Sequence, residues 1–297
     1  MIRQNVAVCT KLGGRLGNQM FQYAAGLCLA VRLNAQLFLD VPPDRRGKTR
    51  NLLAESFRIP EPSLHTPETV WERIDKGLHN LTGRRYLSLR KAGWPVFRET
   101  GFTFDPAFDQ IRDGCYLIGR WQSPRYFRDV EDRIRQVFRF RGELGVNAAN
   151  TLQRLRDAGN SVAVHVRRGD YVQKRRTLKR HGICERAFYD AARNRLEAGA
   201  GEPFFYFVFS DDPAAARQEL GHWSHVCFVA GNTKEEDLHL MSLCRHAIIA
   251  NSSYSWWAAW LNANPAKQVF APRQWFTPKV QARKDPKDLL PTEWQLV

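Results

Sequence analysis

Seven consecutive residues, His165-Val166-Arg167-Arg168-Gly169-Asp170-Tyr171, place two guanidinium groups directly behind an apolar, β-branched run. Arginine presents a planar fork of N–H donors matched to phosphate oxygens, and two of them beside a buried strand are costly without an anion to hold. The pattern points to a phosphorylated ligand, with His165 as a further donor or as a group that orients an arginine. An ion pair with Asp170 is the competing structural explanation. The expected outcome is a division, one arginine on the ligand and the other holding the loop.

Three more polar segments occupy similar positions. Ser210-Asp211-Asp212 offers carboxylates that can accept from the N1–H and amino group of a guanine, or cap a helix opened by Pro213. Asn251-Ser252-Ser253-Tyr254-Ser255-Trp256-Trp257 sets amide and hydroxyl groups where a helix N-terminus attracts anions. A capping serine explains only part of that segment. Gly13-Gly14-Arg15-Leu16-Gly17-Asn18-Gln19 has neither GxGxxG spacing nor a P-loop lysine, which disfavours a nicotinamide enzyme. Its glycines let backbone approach a ligand, while Asn18 and Gln19 add amides suited to sugar hydroxyls.

The elements that must position these segments alternate. Ile2–Thr10, with its apolar run Val6–Thr10, reads as a buried first strand, Met20–Asn34 as a helix with Met20, Ala24, Leu27 and Val31 on one face, and Ala35–Val41 as a second strand. Residues 44–100 are irregular. A strand at Tyr116 and helices over Phe127–Phe138 and Ala148–Ala158 follow. From Ser161 onward, strands at Val162–Val166, Phe204–Phe209, His225–Val229, Ala247–Ala250 and Gln268–Ala271 alternate with helices Glu185–Leu196, Lys234–Cys244 and Trp256–Ala263. Such alternation implies parallel sheets covered on both faces, with ligands at the carboxyl ends of the strands. The expected fold class is α/β with two facing Rossmann-like lobes, residues 1–150 and 151–297. No DxD sequence follows a strand, so the arginines are expected to neutralise a diphosphate without a metal.

Bulk properties bound the partners. With 297 residues, 43% hydrophobic and 25% charged, the chain can bury a core unaided. Its formal charge of +15 suits nucleic acid, acidic lipid or a phosphorylated small molecule. Nucleic acid is disfavoured, because no RNP, helix-turn-helix or zinc pattern occurs and the aromatics do not interleave with the cations. Six cysteines without CxxC or zinc spacing read as reduced thiols of a cytoplasmic protein. No apolar run reaches the ~18 residues of a membrane span and no signal peptide is evident, so contact with an inner membrane would be peripheral.

Taken together, Gly13–Tyr23, Gly119-Arg120-Trp121-Gln122-Ser123, His165–Tyr171, His181-Gly182-Ile183-Cys184, Phe209–Asp212 and Leu240–Trp257 resemble the bacterial-type α-1,2-fucosyltransferases of glycosyltransferase family 11. The resemblance implies a GT-B-like fold. It implies inverting transfer of L-fucose from GDP-β-L-fucose to the 2-hydroxyl of a galactoside, an oligosaccharide or glycolipid, with neither metal nor further cofactor. It puts Arg167 on the β-phosphate with His165 beside it and Arg168 near the loop, and Asp211 or Asp212 on the guanine. Asn251, Ser252 and Ser253 would lie along the phosphates and Asn18 near the sugar. The C-terminal lobe would hold the donor and the N-terminal lobe mainly the acceptor. Asp170 is the first carboxylate to consider as a base, balanced by its reading as a brace for an arginine. Asp40 and Glu185 are weaker, and the departing phosphate can also accept the proton. Another GDP-sugar, another fucosyl linkage, a nucleic-acid-binding protein and an idle sugar-binding protein are the alternatives. Acceptor choice is expected in residues 44–100 and 174–180.

Overall fold

Valine, phenylalanine and leucine dominate the longer strands, five or six residues each, and polar segments follow several of their carboxyl ends. The protein is seen in a computed structural model that describes residues 6–43, 50–64, 90–91 and 94–297, with backbone alone at 90, 91 and 170. It divides into two units, Met1–Phe138 with Lys284–Leu290, and Arg139–Arg283 with Pro291–Val297. This division falls earlier than residue 150 because the helix Val146–Asp157 is tied into the second unit. Gly145 donates its N–H to Glu236 Oε1 at 2.6 Å, and Asn147 Nδ2 reaches the Gly231 carbonyl at 3.4 Å.

In the first unit the strands are β1 (Ala7–Lys11), β2 (Gln36–Asp40), β3 (Ser63–Leu64), β4 (Arg90–Lys91), β5 (Trp94–Arg98) and β6 (Tyr116–Ile118), in the order β3-β2-β1-β6-β5-β4. All neighbours are parallel except β4 with β5. β5 lies inside the stretch expected to be irregular, where Pro95 and Arg98 mask the strand pattern. The helix Leu16–Leu33 begins four residues before the expected Met20, so Asn18 and Gln19 stand in its first turn rather than in a loop. Asn34 ends it in the left-handed region at φ 49°, its N–H reaching the Ala30 and Val31 carbonyls.

In the second unit β7 (Ser161–Val166), β8 (Phe205–Ser210), β9 (Val226–Phe228), β10 (His246–Ile248), β11 (Val269–Ala271) and β12 (Gln295–Leu296) run parallel in the order β12-β11-β10-β7-β8-β9. That is the doubly wound dinucleotide-fold order, and the winding reverses between β7 and β10. β7 is buried at all six positions, as a central parallel strand must be, which is why its run is apolar apart from Ser161 at its start and His165 near its end. Val162, Val164, Tyr206, Val208, Ile248 and Phe270 form the sheet side of the core against Tyr189, Leu196 and Leu220. Two short helices, Gly169–Gln173 and Arg175–His181, occupy what reads as a loop in sequence. All six cysteines are free thiols, and among the described residues no helix is long and apolar enough to cross a membrane.

Candidate active site

β7 and β10 pair through Val164 and Ile248, and three residues further along each chain come Arg167 and Asn251. The expected phosphate segments therefore leave the sheet side by side at its reversal point, where doubly wound folds bind their ligands. Arg167 Nη1 lies 3.1 Å from Asp211 Oδ2, its side chain 10% exposed. The other oxygen of Asp211 accepts the Arg168 N–H at 2.9 Å. A methyl group on residue 169 would stand 2.0 Å from Asp211 Oδ2, so glycine is required there to let the carboxylate reach Arg167. The Arg167 guanidinium also lies 5.3 Å above the Tyr171 ring.

The remaining segments divide into braces and edge groups. Arg168 is internal, donating to the Arg167 carbonyl at 3.0 Å and the Cys184 carbonyl at 2.8 Å, and pairing with Glu219 at 3.1 Å. This is the loop-holding arginine. Asp212 caps the helix Pro213–Leu220 through the Ala215 N–H at 3.0 Å, and Asp211 is turned onto Arg167. Asn251 is 2% exposed. It donates to the carbonyls of His181 at 2.8 Å and Trp275 at 3.3 Å, while the Cys184 thiol donates to its Oδ1 at 3.7 Å. Its amide therefore brackets three chain segments at this edge. Ser252 caps the helix Ser253–Leu261, accepting the Tyr254 N–H at 3.4 Å, and Ser253 begins that helix half-buried. Trp256 and Trp257 are fully buried against Trp260 and serve the core. Gly169–Gln173 is helical, and the side chain of Asp170 lies outside the described residues.

His165 sits below Arg167 with its ring 5.7 Å from that of Tyr254. Burial, then the Arg167 charge, pushes its pKa down to about 3, so it is a neutral imidazole at physiological pH and its contribution is a single N–H donor, not a charge. Among the described residues its buried Nδ1 has no hydrogen-bond partner, the kind of buried polar atom that marks a ligand site. Tyr254 donates to the Lys234 carbonyl. Its phenol is held well above the usual tyrosine range by burial and by the charges of Asp237 and Glu235, with Arg167 opposing. A carboxylate that no sequence motif singles out, Asp237, acts on the same phenol. It stands on the helix Lys234–Leu243, accepts from Asn232 Nδ2 at 3.0 Å, and is pushed up to about 6 by burial. The Oδ1 atom of Asn232 is buried without a hydrogen-bond partner among the described residues. No strand-end motif flags Asp237; the signal available was a carboxylate in a helix that a capping box already starts.

In the first unit β1 and β6 are neighbours, and their carboxyl ends carry the Gly13–Gln19 and Gly119–Gln122 segments. Asn18 Oδ1 accepts from Gln122 Nε2 at 2.7 Å. Gln19 is turned away from this edge: its amide accepts the Leu52 N–H at 2.9 Å and donates to the Arg50 carbonyl at 3.1 Å. Asp40 is fully buried and takes the Tyr116 hydroxyl, which removes it as a base. Glu185 is exposed at the start of the helix Arg186–Glu197, where its side chain makes no cap. The irregular stretch expected to choose the acceptor lies largely outside the described residues. Lys174 to Lys179 is an exposed basic run except for half-buried Thr177.

Comparison with known proteins meets this geometry. The model of the family described as Glycosyl transferase family 11 matches residues 2–296. An Escherichia coli alpha-1,2-colitosyltransferase is 33% identical over 294 residues, covering 97% of each chain. The Bos taurus galactoside alpha-(1,2)-fucosyltransferase 1 is 29% identical over 264 residues, 84% of this chain and 64% of the relative. The crystal structure of the fucosyltransferase NodZ from Bradyrhizobium superposes with a TM-score of 0.48 at 13% identity, covering 86% of this chain and 92% of that one.

Proposed function

We propose a reaction for this chain, which belongs to glycosyl transferase family 11: metal-independent, inverting transfer of L-fucose from GDP-β-L-fucose to the 2-hydroxyl of a galactoside. The observation that carries it is Arg167, fixed by Asp211 at the reversal point of the second sheet above the neutral His165. As the bond from the sugar C1 to the phosphate oxygen breaks, negative charge grows on the β-phosphate. A guanidinium already oriented by a carboxylate meets that charge without reorganising, the kind of stabilisation that dominates many catalysed transfers. His165 supplies a neutral donor to the same group, and the helix beginning at Ser253 turns its positive end to this edge.

The acceptor 2-hydroxyl oxygen attacks C1 from the face opposite GDP, which inverts the β-linkage to α, and its proton passes to a base or to the departing phosphate. Asp170 remains the carboxylate proposed for that base. With Asp211 and Asp212 engaged elsewhere, the guanine is assigned to Asp237, whose carboxylate would accept from N1–H and the amino group. The second unit thus takes the donor and the first, through Asn18, the acceptor. Linkage to a 2-hydroxyl is supported by the names of two relatives. A second reading, transfer of colitose, which is fucose without its 3-hydroxyl, is favoured by the 33% identity over 97% of the chain. The basic run 174–180 suits peripheral contact with an anionic membrane carrying a glycolipid acceptor.

The test is calorimetric titration with GDP in EDTA, followed by incubation of GDP-fucose and GDP-colitose with a panel of galactosides and NMR of the product linkage. An α-1,2-fucosyl product formed in EDTA is the expected result. Turnover only with GDP-colitose would install the second reading, and salt-sensitive binding to random RNA without any heat from GDP would overturn both.

A further inference from the structure

We infer that Glu99 is a positioning residue of the first unit: it fixes the turn Gly119–Gln122 and, through Gln122, the carboxamide of Asn18. The inference rests on the family reading for the place of Asn18 beside a sugar. Glu99 follows β5 directly and is 7% exposed. Its Oε2 accepts the Arg120 N–H at 2.6 Å, and both oxygens lie 3.1 Å from the Trp121 nitrogen. A buried carboxylate is a costly way to fill space, and here it is spent on two backbone donors of a turn that has no sheet partner for them.

The turn is shaped around that carboxylate. A Cβ on residue 119 would stand 2.7 Å from Glu99 Cβ and from Trp121 Cε2, so only glycine lets the chain pass. Trp121 adopts φ 56°, a left-handed conformation rare for a bulky residue, with its ring fully buried among Phe97, Phe108 and Tyr126. Next in the chain, Gln122 Nε2 holds Asn18 Oδ1 at 2.7 Å. Gln22 links the same two loops a second time, donating to the Gly119 carbonyl at 3.0 Å and accepting the Gly13 N–H at 2.8 Å. Both loops leave the sheet where its strand order reverses, and Glu99 sits beneath their junction.

Burial pushes Glu99 up to about 7; the two N–H donors and the charges of Arg120 and Lys284, the ionic groups that face it, oppose the rise. Protonation turns one oxygen into a donor and removes the charge that strengthens the remaining acceptor, so the hold on the turn weakens as pH falls through neutrality. A glutamine would keep one acceptor oxygen and set its NH2 against a backbone N–H. An aspartate would keep the charge at a shorter reach.

The test compares wild type with Glu99→Gln and Glu99→Asp. Hydrogen exchange of peptides spanning 119–122 is read by mass spectrometry across neutral pH, as the ratio of wild type to variant, which cancels the intrinsic pH dependence of exchange. The expected result is that wild-type protection of these amides rises relative to Glu99→Gln as pH climbs through about 7, with Glu99→Asp keeping part of the rise. In turnover, Glu99→Gln raises the acceptor KM about tenfold while the GDP dissociation constant stays within about twofold. A flat ratio across pH, or GDP affinity and acceptor KM worsening together, would overturn the assignment. Should neither variant fold, protection of the wild-type amides against pH, measured relative to second-unit peptides, decides it alone. Loss of GDP binding by the wild type would refute the donor reading while leaving the exchange result to judge Glu99.

Discussion

Asp211 holds Arg167 with one carboxylate oxygen, at 3.1 Å, and the backbone N–H of Arg168 with the other, at 2.9 Å. The loop and the guanidinium are thereby fixed by a single side chain from the neighbouring strand. Arg167→Ala should abolish transfer with the fold intact by circular dichroism. Asp211→Asn should lower kcat/KM about tenfold, the scale of one charge-assisted hydrogen bond. Turnover of Arg167→Ala within a few-fold of wild type would remove the assigned role.

Gly169→Ala tests the same relationship from the other side. The added methyl would stand 2.0 Å from Asp211 Oδ2 and must push the carboxylate off Arg167. Kinetics of Gly169→Ala combined with Asp211→Asn should match the worse single variant, since both break one contact. Additive losses would show two separate effects. Gly201→Ala, with nothing within 4 Å, is the control.

His165 is neutral in the fold, its pKa lowered from 6.5 to about 3 by burial and the Arg167 charge. A depressed folded value means that the unfolded chain binds the extra proton first as pH falls. The contribution to stability is therefore complete above about 6.5 and is lost from there down to about 3. Urea unfolding of His165→Phe should show a shallower loss of stability across that window. Identical slopes for wild type and variant would contradict a buried neutral imidazole.

Asn251→Ala should act on stability. Three buried contacts, to His181, Trp275 and Cys184, disappear and leave carbonyls without donors, at a cost of about 2–4 kcal/mol. The melting temperature should fall while GDP affinity, measured well below the transition, changes only slightly. A large loss of affinity with unchanged melting would return Asn251 to the phosphates.

Asp237→Asn should do the reverse. If its carboxylate receives the guanine, GDP binding weakens about tenfold and inhibition by pyrophosphate stays as in wild type. Equal weakening of both ligands would place Asp237 on the phosphates or in the fold instead.

The sequence by itself determined the α/β alternation, the buried β7 run, the arginine pair at its end and the serine-rich start of the helix Ser253–Leu261. Each is a local signal: an apolar run, a proline at a helix start, hydroxyl groups ahead of a helix. Tertiary structure alone decided the labour within those segments. Asp211 turns to Arg167 while its neighbour Asp212 caps a helix, because alternate residues leaving β8 point to different neighbours. Asn251 and Gln19 look like ligand groups in sequence, yet they spend their amides on chain segments far from them, at His181 and Trp275 and at Arg50 and Leu52. Glu99 and Asp237 carry no motif, and their meaning comes from what packing sets against them: the turn after β6 for Glu99, and Asn232 with the Tyr254 phenol for Asp237. Residue type and spacing set what a side chain can bond, but a buried hydrogen bond goes to whichever partner the packed sheet presents, and that partner is rarely near in sequence.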